Sequence, residues 1–345
     1  MGVNLTPIIV KEILAMDDLR GRSFAVDANN YLYQFLSLIR MPDGTPLQDS
    51  HGNITSHLAG LMFRSTRLMH DYSILLVFVF DGPPPALKQH EINKRREQRE
   101  KATQQWQEAL KRGDYAKAFS KAVMTSRLTR PLIEDAKHLL SLLGIPHIEA
   151  PSEAEAQCAH MAMKGDVWAA SSKDYDSLLF GAPRLLRYLT ISGREYLPSR
   201  GISRPLKPEL IELDKFLSAN GITRQQLIDL AMLIGTDFNE GVKGIGPKTA
   251  LALIREHGQI VNMPTEIKAK LEGQNFEEVR RFFLQPEISA EYGLDYGELD
   301  EDGLYDFLCG QRDFSRDRVR TVVERMKSFY RMSRQTEIRN WLKKN

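Results

Sequence analysis

The sequence predicts an α/β fold, a mostly parallel central sheet flanked by helices, on three observations. Short apolar runs alternate with stretches of helical period through the first half of the chain. Those runs, or the turns after them, deliver carboxylates in a recurring way: Asp27, Asp81, Glu153 with Glu155, and Asp174 with Asp176. From Pro208 onward the pattern reads as helical.

Taken in order, "RSFAVDANNYLYQFL" reads as a short buried strand ending at Asp27, then a helix. "YSILLVFVFDGPPP" reads as a second strand ending at Asp81, stopped by Gly82 and three prolines. Residues 88–112 hold almost no apolar side chain before Trp106, which predicts a polar helix or a mobile segment outside the core. "RPLIEDAKHLLSLLGIPHIEA" carries Leu132, Ile133, Ala136, Leu139, Leu140 and Leu143 at helical spacing, stops at Gly144 and Pro146, and runs into a short strand. In "APSEAEAQCA", Ser152 and Glu155 have the spacing of a capping box, and a carboxylate in a first turn suits the helix dipole. "GDVWAASSKDYDSLLFG" predicts a strand ending near Asp174; an extended chain there points Asp174 and Asp176 the same way. "PRLLRYLTISGREYLP" is expected to be a hairpin. Later a helix ends at Gly235, and the glycines of "GVKGIGPKTA" precede another.

The 345 residues are 42% hydrophobic and 27% charged, values of a soluble globular chain with ample length for a core. The longest apolar run, residues 74–80, is too short for a bilayer, so no membrane association is expected. The first residues lack a basic segment followed by an apolar one, and Thr6 gives only a weak match to the acylation signal that Gly2 raises. Cys158 and Cys309 form no metal spacing and no disulfide framework; a reducing, intracellular, cytoplasmic setting is expected. Between Lys88 and Arg130 twelve Lys/Arg face five acids, a net +7 on a chain that otherwise nets −5. Such a segment suits either a polyanion partner or a solvated helix face.

Each acid alone has an ordinary explanation as a cap or turn residue. Together, at the carboxyl ends of parallel strands and with no histidine or cysteine beside them, they resemble a site for a hard cation such as Mg²⁺ or Mn²⁺. A divalent metal would relieve their mutual repulsion, and two metals serve phosphodiester hydrolysis. A P-loop is absent. In "LIGTDFNEGVKGIGPKTALALI" the glycines at a helix start, with Lys243 and Lys248, suit a phosphate.

These residues together resemble the flap endonucleases, structure-specific 5′ nucleases of replication and repair, and the archaeal members most closely. The motifs that carry the likeness are "AVDANNYLYQFL", "VFVFDGPPPALK", "APSEAEAQCA", "SSKDYDSLLFGAPRLLR", "LIGTDFNEGVKGIGPKTA" and "QTEIRNWL", which span the chain. The resemblance implies a 5′ nuclease (PIN-like) fold that cuts a 5′ flap near the duplex junction, with 5′→3′ exonuclease action on nicked or gapped DNA, in Okazaki fragment maturation and base excision repair. It implies that Asp27, Asp81, Glu153 and Glu155 hold one Mg²⁺ and that Asp174, Asp176 and Asp237 hold a second, Mn²⁺ substituting. Lys88 and Arg95 would act on the scissile phosphate at the base of a helical arch (about 82–130, centred on 100–115). Gly2, Tyr33, Arg40, Arg64, Glu153, Gly235, Asp237, Lys243, Gly244, Gly246 and Lys248 would contact DNA. The element around Gly235–Lys248 would be a helix–two-turn–helix that also takes K⁺. Gln335, Ile338, Trp341 and Leu342 would bind a sliding clamp of the PCNA type, the nuclease being a monomer. The implied organisation is a nuclease domain of residues 1–99 and 116–259, a helical part 260–331 and a tail 332–345. Rival readings are a nuclease for other junctions or bubbles, and a non-catalytic DNA-binding adaptor on the clamp.

Overall fold

The computed structural model describes residues 2–189, 193–197, 202–271 and 273–344; for 193–197, 202–205 and 333–344 it describes the backbone alone. Among the described residues the strands are β1 (Glu12–Ile13), β2 (Ser23–Asp27), β3 (Leu75–Phe80), β4 (His147–Glu149), β5 (Ala169–Ser171), β6 (Arg184–Arg187), β7 (Gly193–Leu197), β8 (Ile202–Leu206) and β9 (Glu209–Glu212). Seven form one sheet in the order β1-β9-β6-β5-β2-β3-β4, and β7 pairs only with β8. Strands β2 to β6 run parallel to one another, while β9 runs antiparallel to both β1 and β6.

The helices of the first half are α1 (Ala28–Leu38), α2 (Ser56–Tyr72), α3 (Gln89–Lys111), α4 (Tyr115–Val123), α5 (Arg130–Leu142), α6 (Ala154–Lys164) and α7 (Asp176–Leu179). Those of the second are α8 (Leu213–Asn220), α9 (Arg224–Ile234), α10 (Pro247–His257), α11 (Thr265–Leu271), α12 (Phe276–Leu284), α13 (Glu301–Tyr305) and α14 (Arg316–Lys344). The central strands are apolar on both faces because helices cover both. Their alternation splits the core in two. Ala25, Val77 and Val79 join the side chains of α6 and α8–α10, while Phe24, Val26, Leu76, Phe78 and Phe80 join those of α1, α2, α5 and α14.

Three expectations are corrected. Residues 184–197 are not one hairpin: β6 enters the main sheet, where Leu185 and Leu186 are fully buried on opposite faces, and β7 pairs with β8. The chain after Pro208 is not helical at once, because β9 closes onto β6 and carries β1 on its far side. Four residues are too few for a period to be read, and the buried Leu210 and Ile211 fit either reading. Finally, β5 stops at Ser171, three residues before Asp174.

The basic segment forms two helices, α3 and α4, folded back on each other through Gly113, which takes φ +71°. Only Ala102 and Ala109 of α3 are buried, so little of it is core. Trp106 ties it down, its indole N–H donating to the Asp43 carbonyl at 3.2 Å.

One core residue makes stability pH-dependent. His57 is completely buried and neither ring nitrogen has a partner. Burial pushes its pKa down to about 4, against the pull of Asp135. The unfolded chain takes up a proton near pH 6.5 that the folded chain refuses until about 4, so stability is lost as pH falls through that window. The loss attributable to His57 is about 3 kcal/mol. Denaturant unfolding at pH 7 and pH 4 is expected to give a smaller drop for His57→Leu than for the parent by about that amount; equal drops would exclude this source.

Candidate active site

Each acid is placed by a local device. Asp27 ends β2 and caps α1, its Oδ1 accepting the Asn30 backbone N–H at 2.9 Å. Asp81 follows β3 directly. Its Oδ1 accepts the Ala154 N–H at 2.8 Å and its Oδ2 accepts from the Asn29 side-chain amide at 2.7 Å. The start of α6 is therefore held by Asp81 from a neighbouring strand, and the Ser152–Glu155 capping box expected from the sequence does not form: Glu153 is the N-cap residue and makes no side-chain cap bond. The first N–H of the helix, that of Ala154, is satisfied by the Asp81 carboxylate instead. Glu155 sits in the first turn, with Oε1 buried and unpartnered.

Asp174 and Asp176 are not on extended chain. Asp174 lies in a bend and accepts from the Asn30 side-chain amide at 2.9 Å. Asp176 opens α7 and accepts the Val3 N–H at 2.9 Å. The amino-terminal strand of chain thus lies against the acid, and a Cβ on Gly2 would stand 2.6 Å from the Asp176 carboxylate oxygens. Asp237 comes from the turn after α9. From behind, Arg187 fastens the Lys173–Asp176 turn, donating to the Lys173 carbonyl at 2.8 Å and to the Tyr175 hydroxyl at 2.5 Å.

All seven carboxylates belong to one electrostatic network. Burial raises Asp27 well above the usual carboxylate range, and Asp81 and Asp174 raise it further. Burial raises Glu155 likewise, with Asp176, Asp27 and Asp174 adding to it. Asp176 is pushed up to about 7 by burial and by Asp237 and Asp174. Glu153 is raised by burial despite Lys88. Asp237 is the exception: burial opposes its charge, but basic groups, Arg95 and Lys88 among them, hold it low.

Lys88 and Arg95, at the start of the basic helical pair, lean onto this edge. The Lys88 ammonium pairs with Glu153 and lies 3.8 Å from Asp237. The Arg95 guanidinium donates to Asp237 at 2.5 Å and to Glu91 at 2.9 Å. Burial works against both cations, and the acids overcome it and hold both pKa values above their usual range.

Among the described residues no three acidic, histidine or cysteine side chains converge into a ready-made metal cage. The set nevertheless fits a divalent cation. Its donors are all oxygens, three members resist ionising together, and Glu155 presents a buried oxygen with nothing to bind.

The remaining sequence candidates fall in three places. Tyr33 stands on α1, partly exposed. Arg64, on α2, lies over the Phe35 ring at 5.8 Å. Arg40 is turned inward, donating to the carbonyls of Leu36 and Gly44 and to the Ser126 hydroxyl, which joins the end of α1 to the segment after α4. Gly235 takes φ +108° to end α9. Gly244 and Gly246 face open space beside exposed Lys243 and Lys248, at the start of α10. The backbone of Gln335, Ile338, Trp341 and Leu342 continues α14; their side chains lie outside the described residues. Sequence reasoning missed Asn29, Asn30, Gln34 and Arg187. The available signal was "DANN", two poor helix formers placed inside a helix start behind an acid.

An acidic edge at the carboxyl ends of a parallel sheet, overhung by a basic helical pair, defines a hydrolytic nuclease. The chain matches the XPG N-terminal domain over residues 1–102 and the XPG I-region over residues 144–237. It is 47% identical over 348 residues to flap endonuclease 1 of Pyrococcus horikoshii, covering 100% of this chain and 99% of that one. It is 46% identical over 345 residues to the Pyrococcus furiosus flap endonuclease 1, with 100% of both covered. Among solved structures it superposes on the flap endonuclease-1 of Methanococcus jannaschii with a TM-score of 0.74 at 40% identity, over 95% of this chain and 98% of that one. The catalytic core of Rad2, solved in complex with a DNA substrate, shares the fold at a TM-score of 0.67 and 24% identity, over 93% and 97%. The chain belongs to the flap endonuclease 1 family.

Proposed function

We propose that this nuclease hydrolyses one phosphodiester near the junction of a 5′ single-stranded flap with duplex DNA, and acts as a 5′→3′ exonuclease on nicks and gaps. The observation that carries the reading is the single network of seven carboxylates with Lys88 and Arg95 against it. In this reading Asp27, Asp81, Glu153 and Glu155 hold one divalent cation, directly or through water, and Asp174, Asp176 and Asp237 hold another. Two Mg²⁺, or Mn²⁺ in their place, supply charge neutralisation and activation of a water nucleophile.

The chain's own residues do the rest. Lys88 and Arg95 exchange carboxylate partners for the scissile phosphate and neutralise charge that grows on its oxygens. In this reading the nucleophile is water. Segment 82–130, with residues 100–115 at its centre, guides the 5′ single strand as an arch. Tyr33 stacks on a base near the cut. The backbone N–H groups around Gly244 and Gly246, with Gly235, Lys243 and Lys248, grip a phosphate of the duplex away from the cut, with K⁺ in the same turn. Arg40 and Arg64 contribute from α1 and α2, and the Gly2 backbone, Glu153 and Asp237 lie where the DNA backbone passes. The enzyme acts as a monomer on DNA in replication and repair. No helix among the described residues is long and apolar enough to cross a membrane.

Cleavage of a labelled 5′ flap in Mg²⁺, compared with bubble and four-way-junction substrates, tests the reading. One cut at the flap junction, lost in chelator, is expected. Preferential cutting of the other substrates, or flap binding without cleavage, would overturn it.

The tail supports a partner. "QTEIRNWL" spaces Gln335, Ile338, Trp341 and Leu342 so that one turn sets Ile338, Trp341 and Leu342 on one apolar side, between polar flanks. The occupant we assign is the ring-shaped sliding clamp, with Gln335 hydrogen-bonded to it. Truncating Trp341 should cost about 2 kcal/mol or more of clamp binding. Ending the chain after Arg334 is expected to leave cleavage of a free flap unchanged while removing clamp binding and clamp stimulation. Wild-type clamp affinity in the truncated protein would contradict the assignment, as would loss of clamp-independent cleavage.

A further inference from the structure

Of the four strands that lead into acids, β2 sits between β5 and β3, in the order β5-β2-β3-β4. Helix α1 springs from the end of β2, and consecutive residues of a helix point about 100° apart. Asn29 and Asn30 therefore reach in different directions. The Asn29 amide donates to Asp81 Oδ2 at 2.7 Å, beside β3, and the Asn30 amide donates to Asp174 Oδ2 at 2.9 Å, beyond β5. The Asn29 carbonyl oxygen is buried without a partner, while the Asn30 amide is held at both ends. The Asn30 carbonyl oxygen accepts from Gln34, one turn along α1, at 2.6 Å and from the Lys173 N–H at 3.2 Å. Gln34 is buried, with 9% of its surface exposed.

An amide is suited to this position. It supplies a neutral donor that fixes which carboxylate oxygen stays open, without the positive charge that would compete with a cation. We infer that Asn29 and Asn30 are positioning residues, each setting the orientation of one metal-ligating acid, Asp81 for one cation and Asp174 for the other, with Gln34 bracing Asn30. This rests on the reading above that these acids hold divalent metal. It gives the paired asparagines a task that neither capping nor core packing explains. Partners of this kind change metal affinity by about 10- to 100-fold when removed.

The test measures Mn²⁺ binding to the DNA-free protein by electron paramagnetic resonance, beside thermal unfolding without metal. Asn29→Ala and Asn30→Ala are each expected to weaken one class of Mn²⁺ site by 10- to 100-fold. Asn29→Ala is not expected to lower the metal-free unfolding temperature, because alanine is the better helix former, whereas Asn30→Ala leaves the Gln34 amide and the Lys173 N–H without their acceptor and is expected to lower it. Gln34→Met is expected to weaken the same site as Asn30→Ala by less, and to add nothing in the double variant. Wild-type Mn²⁺ affinity in both asparagine variants overturns the inference, as does a loss in Asn29→Ala that merely follows a lowered unfolding temperature, or full additivity of Gln34→Met with Asn30→Ala. Asp174→Ala separates the two levels: if it abolishes a Mn²⁺ site while Asn30→Ala does not, the positioning role alone fails. If Asp174→Ala also binds Mn²⁺ as the parent does, the metal assignment fails with it.

Discussion

Asp81→Ala and Asp176→Ala are each expected to lower single-turnover flap cleavage by about three orders of magnitude or more while leaving flap binding within a few-fold of the parent. Both side chains are among the carboxylates whose charges act on one another at the sheet edge. Neither touches the exposed lysines that would hold the duplex. Removing either also removes negative charge that repels the incoming phosphate, so binding has reason to tighten. Asp81 has a second task, since it accepts the first N–H of α6. Its alanine variant therefore carries a capping penalty of about 1 kcal/mol. Asp81→Asn keeps an acceptor there and isolates the loss of charge. Cleavage within tenfold of the parent in both Asp81→Asn and Asp176→Ala would sink the assignment.

The second large effect concerns the cations at the base of the basic helices. Lys88→Ala and Arg95→Ala are expected to reduce turnover at saturating DNA by about 10²- to 10³-fold, with little change in affinity. Lys88 is almost enclosed among Glu153, Asp237 and the Phe238 ring, with 16% of its side chain exposed, so it meets one phosphate at one place. Lys117 lies on the exposed face of α4. Its alanine variant should instead weaken binding and lower the salt slope by about 1 at unchanged turnover, because it acts by counterion release. Equal loss of turnover in Lys88→Ala and Lys117→Ala at saturating DNA would contradict the division of roles.

Where the sequence was legible, the reason is visible in the fold. Strands β2 and β3 are apolar on both faces and end in acids, and α5 has a clean helical stripe, so each was read close to its true bounds. The acids could be found because strand ends put them on one edge whatever the details of the turns. What failed was local and short. Strand β9 has four residues, β1 has two, and the hairpin reading crossed the boundary between two sheets. The capping box did not form, and the first N–H of α6 is instead satisfied by a residue 73 positions away. The same limit hid Asn29, Asn30 and Arg187: their meaning lies in partners that only the fold brings near, and no spacing within the chain encodes it.

The central claim is that seven carboxylates on one sheet edge form a single metal-dependent centre for phosphodiester hydrolysis. Anomalous diffraction from crystals grown with Mn²⁺ and a cleaved flap product tests it most directly. Two Mn²⁺ peaks are expected at that edge, one ligated from the Asp27, Asp81, Glu153 and Glu155 group and one from the Asp174, Asp176 and Asp237 group. A phosphate of the product should lie against both, with Lys88 turned from Glu153 toward it. No Mn²⁺ at these residues, or a product phosphate seated elsewhere on the molecule, would contradict the account.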